Sequence, residues 1–330
     1  MTASTCPDVP VPHAAGPALA RTREELASAL AADTAPRAVV MTMGALHEGH
    51  FDLVREAARR VGASGTVVVT IFVNPLQFAP GEDLDAYPRT LEADLKGLSG
   101  VLTGPGGALT VGRLVVFAPT PEVIYPDFDP QVRIDPGPLA TVLEGRTRPT
   151  HFAGVCQVVL SLLHLTGPQW AVFGRKDAQQ LAIVKAMVRD LAVPVEIVPV
   201  DIRREADGLA MSSRNAYLSD DERGRALALS RALDAGRAAA YRGADPVAIR
   251  AAAQETLDAA AGVEVDYVAL VDPDSFIDLS GAGIGLEPQA QPRGAGRGGA
   301  SGAASSRGLL AVAARVGTTR LIDNTLIDLS

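Results

Sequence analysis

The sequence predicts an α/β protein, a doubly wound parallel sheet with a second, smaller α+β domain, and three observations carry that prediction. Short runs rich in Val and Ile recur at Ala38 to Thr42, Thr66 to Val73, Leu114 to Phe117, Trp170 to Phe173 and Val195 to Val200. Apolar runs without polar alternation suit parallel strands covered on both faces. Segments of helical period lie between them, such as Phe51 to Val61 with Leu53, Val54, Ala57, Ala58 and Val61 on one face, and Ala178 to Leu191 with Leu181, Val184, Val188 and Leu191. After about Arg204 the pattern changes to Ala-rich helices at Asp220 to Arg242 and Asp245 to Ala261, with strands at Val265 to Val271, Leu309 to Val316 and Leu321 to Asp323. Strand and helix in alternation make a Rossmann-like sheet, whose ligand crevice lies at the carboxyl ends of the strands.

In chain order, residues 1–20 are rich in Pro and Ala without periodicity and read as a flexible tail. A helix from Arg23 to about Ala31 opens the Rossmann-like domain, assigned to residues 21–203. Residues 204–330 form the smaller domain, placed over the crevice as a lid, with a low-complexity Gly/Ala/Ser loop at 281–308. Inside that loop Gly294, Gly296 and Gly299 satisfy GxGxxG, but no strand precedes them and no helix follows, so the geometry that binds pyrophosphate is not expected.

Composition removes several function classes. With 330 residues and 47% apolar content the chain can bury a sizeable core. A formal charge of -8 repels phosphate backbones, which argues against nucleic acid or an anionic membrane as partner and requires any anionic substrate to find a local basic pocket. Two cysteines, Cys6 and Cys156, give neither a disulfide framework nor metal-ligand spacing. The N-terminus lacks the charged and apolar regions of an export signal, and no apolar stretch is long enough to span a membrane. A cytoplasmic protein is expected.

Chemistry concentrates first in MTMGALHEGH, Met41 to His50. A buried strand ends at Met43, Gly44 permits a tight turn, and His47 and His50 fall at i and i+3 on the first turn of the next helix. Helix-start amides attract phosphate and two imidazoles add donors, although a pair of surface histidines is the bland alternative. Zincin chemistry is excluded, since HExxH needs histidines at i and i+4. An HxGH signature after the first strand resembles that of nucleotidyltransferases and adenylating enzymes. The longer string TMGALHEGH, with TIFVNPLQF (Thr70 to Phe78) and DLDAYPRTLEAD (Asp83 to Asp94), resembles the pantothenate synthetases specifically. The resemblance runs over about residues 22–280 and 309–328. It implies ATP-dependent ligation of (R)-pantoate and β-alanine through a pantoyl adenylate, with release of AMP and pyrophosphate, in a cytoplasmic homodimer that uses ATP with Mg2+.

On that resemblance Met43, Gly44, Ala45, Leu46, His47, Glu48, Gly49 and His50 contact ATP, His50 serving as proton donor. Asn74, Pro75 and Gln77 follow a strand and reach the same crevice edge, where a plain Asn-Pro turn is the alternative. An amide can both donate to and accept from a short hydroxy acid, and the resemblance gives Gln77, Gln180 and Asn74 to pantoate and β-alanine. FGRKDAQQ, Phe173 to Gln180, lies at another strand-to-helix junction, where Asp177 reads as the helix N-cap. Lys176 is one of three lysines, with Lys96 and Lys185, and suits the stabilisation of charge on a transferring phosphate. His50, His47 and Lys176 form the expected catalytic set.

Gly174, Arg175, Lys176 and Asp177 carry over as ATP contacts, although Arg175 and Ala178 replace the family's usual acidic and aromatic residues. READGLAMSSRNAYLS, Arg204 to Ser219, adds Ser212, Ser213 and Arg214, two hydroxyls and a bidentate guanidinium that suit a triphosphate. A serine cap beside a solvated arginine is the alternative. Met211 to Arg214 carry over as nucleotide contacts, and Arg203 stands where an aliphatic residue with an adenine-side backbone contact is usual. His151 either shapes the pocket or belongs to a structural loop, and His164 reads as a satisfied core histidine. Asp83, Asp85, Glu92 and Asp94 either approach a magnesium ion through water or form a solvated face, so the metal ligands stay open. Two rival functions remain at this level: a nucleotidyltransferase making a nucleotide conjugate, which has no need of Asn74, Gln77 and Gln180, and a catalytically weakened nucleotide-binding protein.

Overall fold

The computed structural model describes residues 16–31, 34–79, 84, 87–104, 110–287 and 307–329. Strands β1 (Ala18–Ala20), β2 (Arg37–Thr42), β3 (Thr66–Ile71), β4 (Arg113–Phe117), β5 (Trp170–Gly174) and β6 (Glu196–Val200) form one parallel sheet in the order β1-β4-β3-β2-β5-β6. The helices around it are α1 (Arg23–Leu30), α2 (Glu48–Val61), α3 (Leu91–Leu102), α4 (Pro121–Ile124), α5 (Glu144–Thr147), α6 (His151–Thr166) and α7 (Ala178–Asp190). Alternate strand residues enter opposite apolar layers: Val39, Val68, Val115 and Ala171 pack with α1, α6 and α7. Ala38, Val40, Val67, Val69 and Val172 pack with α2 and α3. Burial on both faces is why these strands carry unbroken apolar runs.

The chain leaves β2 in one direction to build β3 and β4, then crosses back to place β5 and β6 on the other side. The reversal falls between β2 and β5, which are hydrogen-bonded neighbours with Ala38, Val39 and Val40 opposite Trp170, Ala171 and Val172. Loops leaving the carboxyl ends of two such strands diverge, and the gap between them is the crevice.

A second sheet, antiparallel, contains β7 (Val263–Val271), β8 (Arg307–Val316) and β9 (Thr319–Asp328) in sequence order, with α8 (Asp220–Tyr241) and α9 (Pro246–Asp258) against one face. Val268, Leu270, Leu310, Val312 and Ala314 meet the helices. Ala269, Val271, Leu309 and Ala311 on the opposite face pack with Phe276 and with Val142, Leu143 and Ala182 of the α5 and α7 region, so an apolar seam joins the two sheets' layers.

Several expectations change. Residues 18–20, expected at the end of a tail, form an edge strand paired with Val115 to Phe117 of β4, while residues 1–15 lie outside the described residues. Three residues are too few to show a period. Strand β9 is ten residues long rather than Leu321 to Asp323, because Asp323 and Asn324 interrupt its apolar pattern without ending it. His164 is exposed on α6 with Nδ1 2.8 Å from the Leu160 carbonyl, and is not a core residue. Of the low-complexity loop, residues 288–306, with the GxGxxG match at Gly294, Gly296 and Gly299, lie outside the described residues, as do Cys6, Asp83 and Asp85. Cys156 is a buried free thiol. Among the described residues no helix is long and apolar enough to cross a membrane.

Helix α6 lies against the turn Pro75–Gln77. Gly154 makes that contact possible, since a Cβ there would stand 2.3 Å from the Leu76 carbonyl oxygen. Alanine would gain about 1 kcal/mol of helix propensity, but backbone on the other side cannot yield as a flexible side chain would. We expect Gly154→Ala to destabilise the protein by about 1–3 kcal/mol in urea denaturation; a stabilised variant would mean that the turn can retreat.

Candidate active site

Four loops leave the same edge of the parallel sheet, after β2, β3, β5 and β6, and their residues line one cavity of about 270 Å³. The loop after β2 turns at Gly44, with φ of 91°, and Ala45, at 51°, is left-handed despite its Cβ. A Cβ on Gly44 would meet Ile71 at 3.2 Å and the Asp94 carboxylate at 3.3 Å. Asp94, 3% exposed on α3, holds this loop: Ala45 N–H donates to its Oδ2 at 3.1 Å and Leu46 N–H to its Oδ1 at 2.8 Å. Such bonds are the means by which a surrounding structure maintains a strained backbone. Asp94 therefore belongs neither to a solvated face nor to a free magnesium-seeking group.

The two histidines then cap α2 reciprocally. His47 is the N-cap, not a member of the first turn, and its Nδ1 accepts from Gly49 N–H at 3.2 Å, while His50 Nδ1 accepts from His47 N–H at 3.3 Å. Their ring centroids are 4.1 Å apart. Gly49 must be small, since a Cβ would lie 3.0 Å from the His47 ring. A nitrogen that accepts from an amide carries no proton, so in each neutral ring the proton sits on Nε2. Burial is the main cause that brings the His50 pKa down to about 3, with His47 and Lys176 adding to it and Asp177 opposing. Burial and Lys176 lower His47 as well, against Glu205. Both rings are consequently neutral donors at physiological pH. The amides of Ala45 and Leu46 are engaged by Asp94 and those of His47 and Gly49 by the two imidazoles, so these four are not open donors at the helix start. Gly44, Ala45, Leu46 and Glu48 do not line the cavity; Met43, His47, Gly49 and His50 do.

After β3, Asn74 uses its whole amide internally. Its Oδ1 accepts from Leu76 N–H at 3.3 Å and Tyr125 O–H at 3.0 Å, and its Nδ2 donates to Gln77 Oε1 at 3.2 Å and the Gly154 carbonyl at 3.0 Å. At 1% exposure it borders the cavity but holds Gln77 in place, in contrast to the expected substrate contact. Gln77 offers its Nε2 to the weakly accepting Met43 sulfur at 2.9 Å. His151, first in α6, has Nδ1 3.0 Å from the Gln77 carbonyl oxygen and lines the cavity beside Arg148.

After β5, Gly174, Arg175, Lys176, Asp177 and Gln180 reach the cavity. Asp177 occupies the N-cap position of α7 but makes no capping bond with its side chain, contrary to expectation. Asp177 is exposed by surface area yet lies inside the cleft lining. Burial alone would raise its pKa, but Lys176, Arg214, His151 and His50 hold it below the ordinary value. Arg175 pairs with Asp201 at 3.0 Å, and Arg203 lies 3.4 Å from Asp52 and 3.6 Å from Glu48, so both unusual arginines face carboxylates at the rim. Met211, Ser212, Ser213 and Arg214 close the cavity, Ser212 accepting from Arg214 N–H at 3.3 Å as the cap of a short turn. Basic side chains, Arg148, Arg175, Lys176, Arg203 and Arg214, outnumber Asp177 and Asp201 in the lining, so the local charge is opposite to that of the acidic chain as a whole.

Comparison with known proteins bears on this geometry. The family model for pantoate-beta-alanine ligase matches residues 18–326. The chain belongs to the pantoate-beta-alanine ligase family. A pantothenate synthetase of Salinispora arenicola is 49% identical, over 94% of this chain and 98% of its own. Solved pantoate-beta-alanine ligase structures share the fold. The pantothenate synthetase of Thermus thermophilus superposes with a TM-score of 0.77 at 41% identity, covering 93% of this chain and 98% of its own. The Francisella tularensis ligase, solved with beta-gamma ATP and beta-alanine, gives 0.66 at 28% identity, covering 94% and 97%. Family membership makes this chain a ligase.

Sequence reasoning missed Asp94 as the anchor of the β2–α2 loop. A carboxylate flanked by other acids gave no sign of burial; the available signal was the demand of a Gly-Ala turn for a strong acceptor. We expect Asp94→Asn, which sets an amide donor against a backbone donor, to lose about 1–3 kcal/mol of stability and to raise the KM for ATP. Unchanged urea denaturation would remove Asp94 from this role.

Proposed function

We propose that this cleft binds ATP and pantoate together, forms pantoyl adenylate and then passes the acyl group to β-alanine. The observation that carries the reading is convergence: His50, Lys176 and Ser213, from three separate loops, line one cavity with Gln77 and Gln180. The pantoate carboxylate attacks the α-phosphorus in line, a phosphorus–oxygen bond forms, and the bond to the leaving pyrophosphate breaks. Nε2 donors of His47 and His50, with the Lys176 ammonium, stabilise the charge on the phosphate oxygens. The neutral rings make His50 a hydrogen-bond donor rather than an imidazolium acid. The β-alanine amine then attacks the acyl carbon, loses a proton, and AMP departs.

Met43, Gly49, Gly174, Arg175, Asp177, Arg203, Met211, Ser212 and Arg214 complete the proposed nucleotide contacts, and Gln77 and Gln180 those to pantoate. Residues 204–330 act as the lid that keeps water from the mixed anhydride. Among the described residues no group of three His, Cys, Asp or Glu side chains is placed to hold a metal ion. Magnesium would arrive on the ATP phosphates as part of the substrate. A cytoplasmic homodimer is the setting that the family resemblance implies, and sedimentation of the purified protein checks its state.

Incubation with ATP, pantoate and β-alanine should yield AMP and pantothenate by mass spectrometry, and pantoate alone should support exchange between ATP and pyrophosphate. Nucleotide binding without either product would overturn the reading. His50→Ala should lower turnover about 10²- to 10³-fold. Since the His50 pKa lies near 3, well below neutrality, its ring should add no ionisation to the turnover profile between pH 5 and 8. An acidic limb in that window that disappears in His50→Gln would contradict the neutral donor.

A further inference from the structure

Two adjacent buried polar residues of β9 reach from the antiparallel sheet to both phosphate-facing loops. Asp323 and Asn324 are 3% and 6% exposed, in a strand whose neighbours are largely apolar. Successive side chains of a strand face opposite ways, and these two do so with different partners. Asn324 shares its face with Arg320, which binds Glu144 of α5 at 2.7 and 2.8 Å. On that face the Asn324 amide donates to the Arg175 carbonyl at 3.0 Å and to the Lys176 carbonyl at 2.8 Å. Those two carbonyls belong to the peptide planes on either side of the Lys176 Cα. Because each peptide is rigid, fixing both planes fixes φ and ψ at Lys176 and hence the direction in which its side chain leaves the backbone.

Asp323 acts on the other loop. Its two oxygens accept from the Arg204 guanidinium at 2.6 and 3.0 Å, and Oδ1 also accepts from Asn324 N–H at 2.8 Å. Arg204 forms the base of a small hairpin with Ala210, and Met211 to Arg214 follow directly. One dipeptide thus touches the backbone that bears Lys176 and the hairpin that delivers Ser212, Ser213 and Arg214.

We propose that Asp323–Asn324 is a positioning clasp, through which the second sheet sets the Lys176 side chain and the Ser-Ser-Arg loop around one triphosphate. The inference rests on the nucleotide role proposed above for those loops. Asn324 touches no reacting atom, and its effect passes through Lys176. The clasp also makes the lid part of the phosphate site's construction, because separation of the two sheets' layers would release both carbonyls.

A double-mutant cycle tests this, read as kcat/KM for ATP in pantoate-dependent exchange with pyrophosphate, with the wild type, Asn324→Ala, Lys176→Ala and the double variant. Misplacing a reacting-centre group by about 1 Å costs on the order of 10²-fold, so Asn324→Ala should lose about 10- to 100-fold in the wild-type background and little more once Lys176 is absent. Asn324→Asp, similar in shape but without the two donors, should fall as far as the alanine variant. The thermal midpoint of Asn324→Ala should stay within a few degrees of the wild type, which excludes general unfolding, whereas that of Asn324→Asp should fall further because its buried carboxylate faces two carbonyl oxygens. Losses that multiply in the double variant, or an unaffected Asn324→Ala, overturn the clasp. A wild type without any exchange would instead sink the functional reading; the same cycle followed by calorimetric ATP binding then decides the clasp, non-additive losses supporting it and additive losses overturning it.

Discussion

The structure depends on one constraint: β2 and β5 are parallel neighbours at the point where the chain reverses its direction of sheet growth. Four of the loops that line the cavity leave the sheet at or beside that junction. The parallel pairing also carries β3 and β6 on its flanks, so four loops from distant parts of the sequence share one edge without needing long excursions. Local devices then aim each loop. Asp94 clamps the first, the Asn74 amide holds the second, Asn324 pins the third, and the Arg204 hairpin delivers the Ser-Ser-Arg segment.

The sequence made the strands and most helices legible because burial on both faces leaves a dense apolar signal, and the amphipathic helices α2 and α7 leave a periodic one. Strand β1 and the full length of β9 were harder to read for opposite reasons. The first is short, and the second carries buried charge and amide groups where composition alone suggests a turn. Helix α6 is mostly apolar, with only Gln157, Ser161 and His164 marking its outward face, so its period is carried by few polar residues.

Within the site, the residues recognised as a set, His47, His50, Gln77, Lys176, Gln180 and Ser212 to Arg214, do line one cavity. What could not be read was which polar groups are already satisfied by the protein. Asn74 and Asp94 carry the same functional groups as ligand-binding residues, but tertiary contacts from α6, α4 and the β2–α2 turn consume them. His151 illustrates the reverse case: an ambiguous loop histidine stands against the Gln77 carbonyl at the cavity wall. Long-range partners of this kind have no local sequence period, so only the folded arrangement separates a group that holds the pocket from one that faces into it.

The reciprocal capping of His47 and His50 engages Nδ1 of each imidazole with the backbone, and under the proposed reaction leaves Nε2 of each for the cavity. On that proposal chemistry and architecture are fused at the entrance of α2. Drift at either position cannot adjust reactivity alone, because whatever replaces the ring must also terminate the helix, and few side chains offer an acceptor and a donor a ring's width apart.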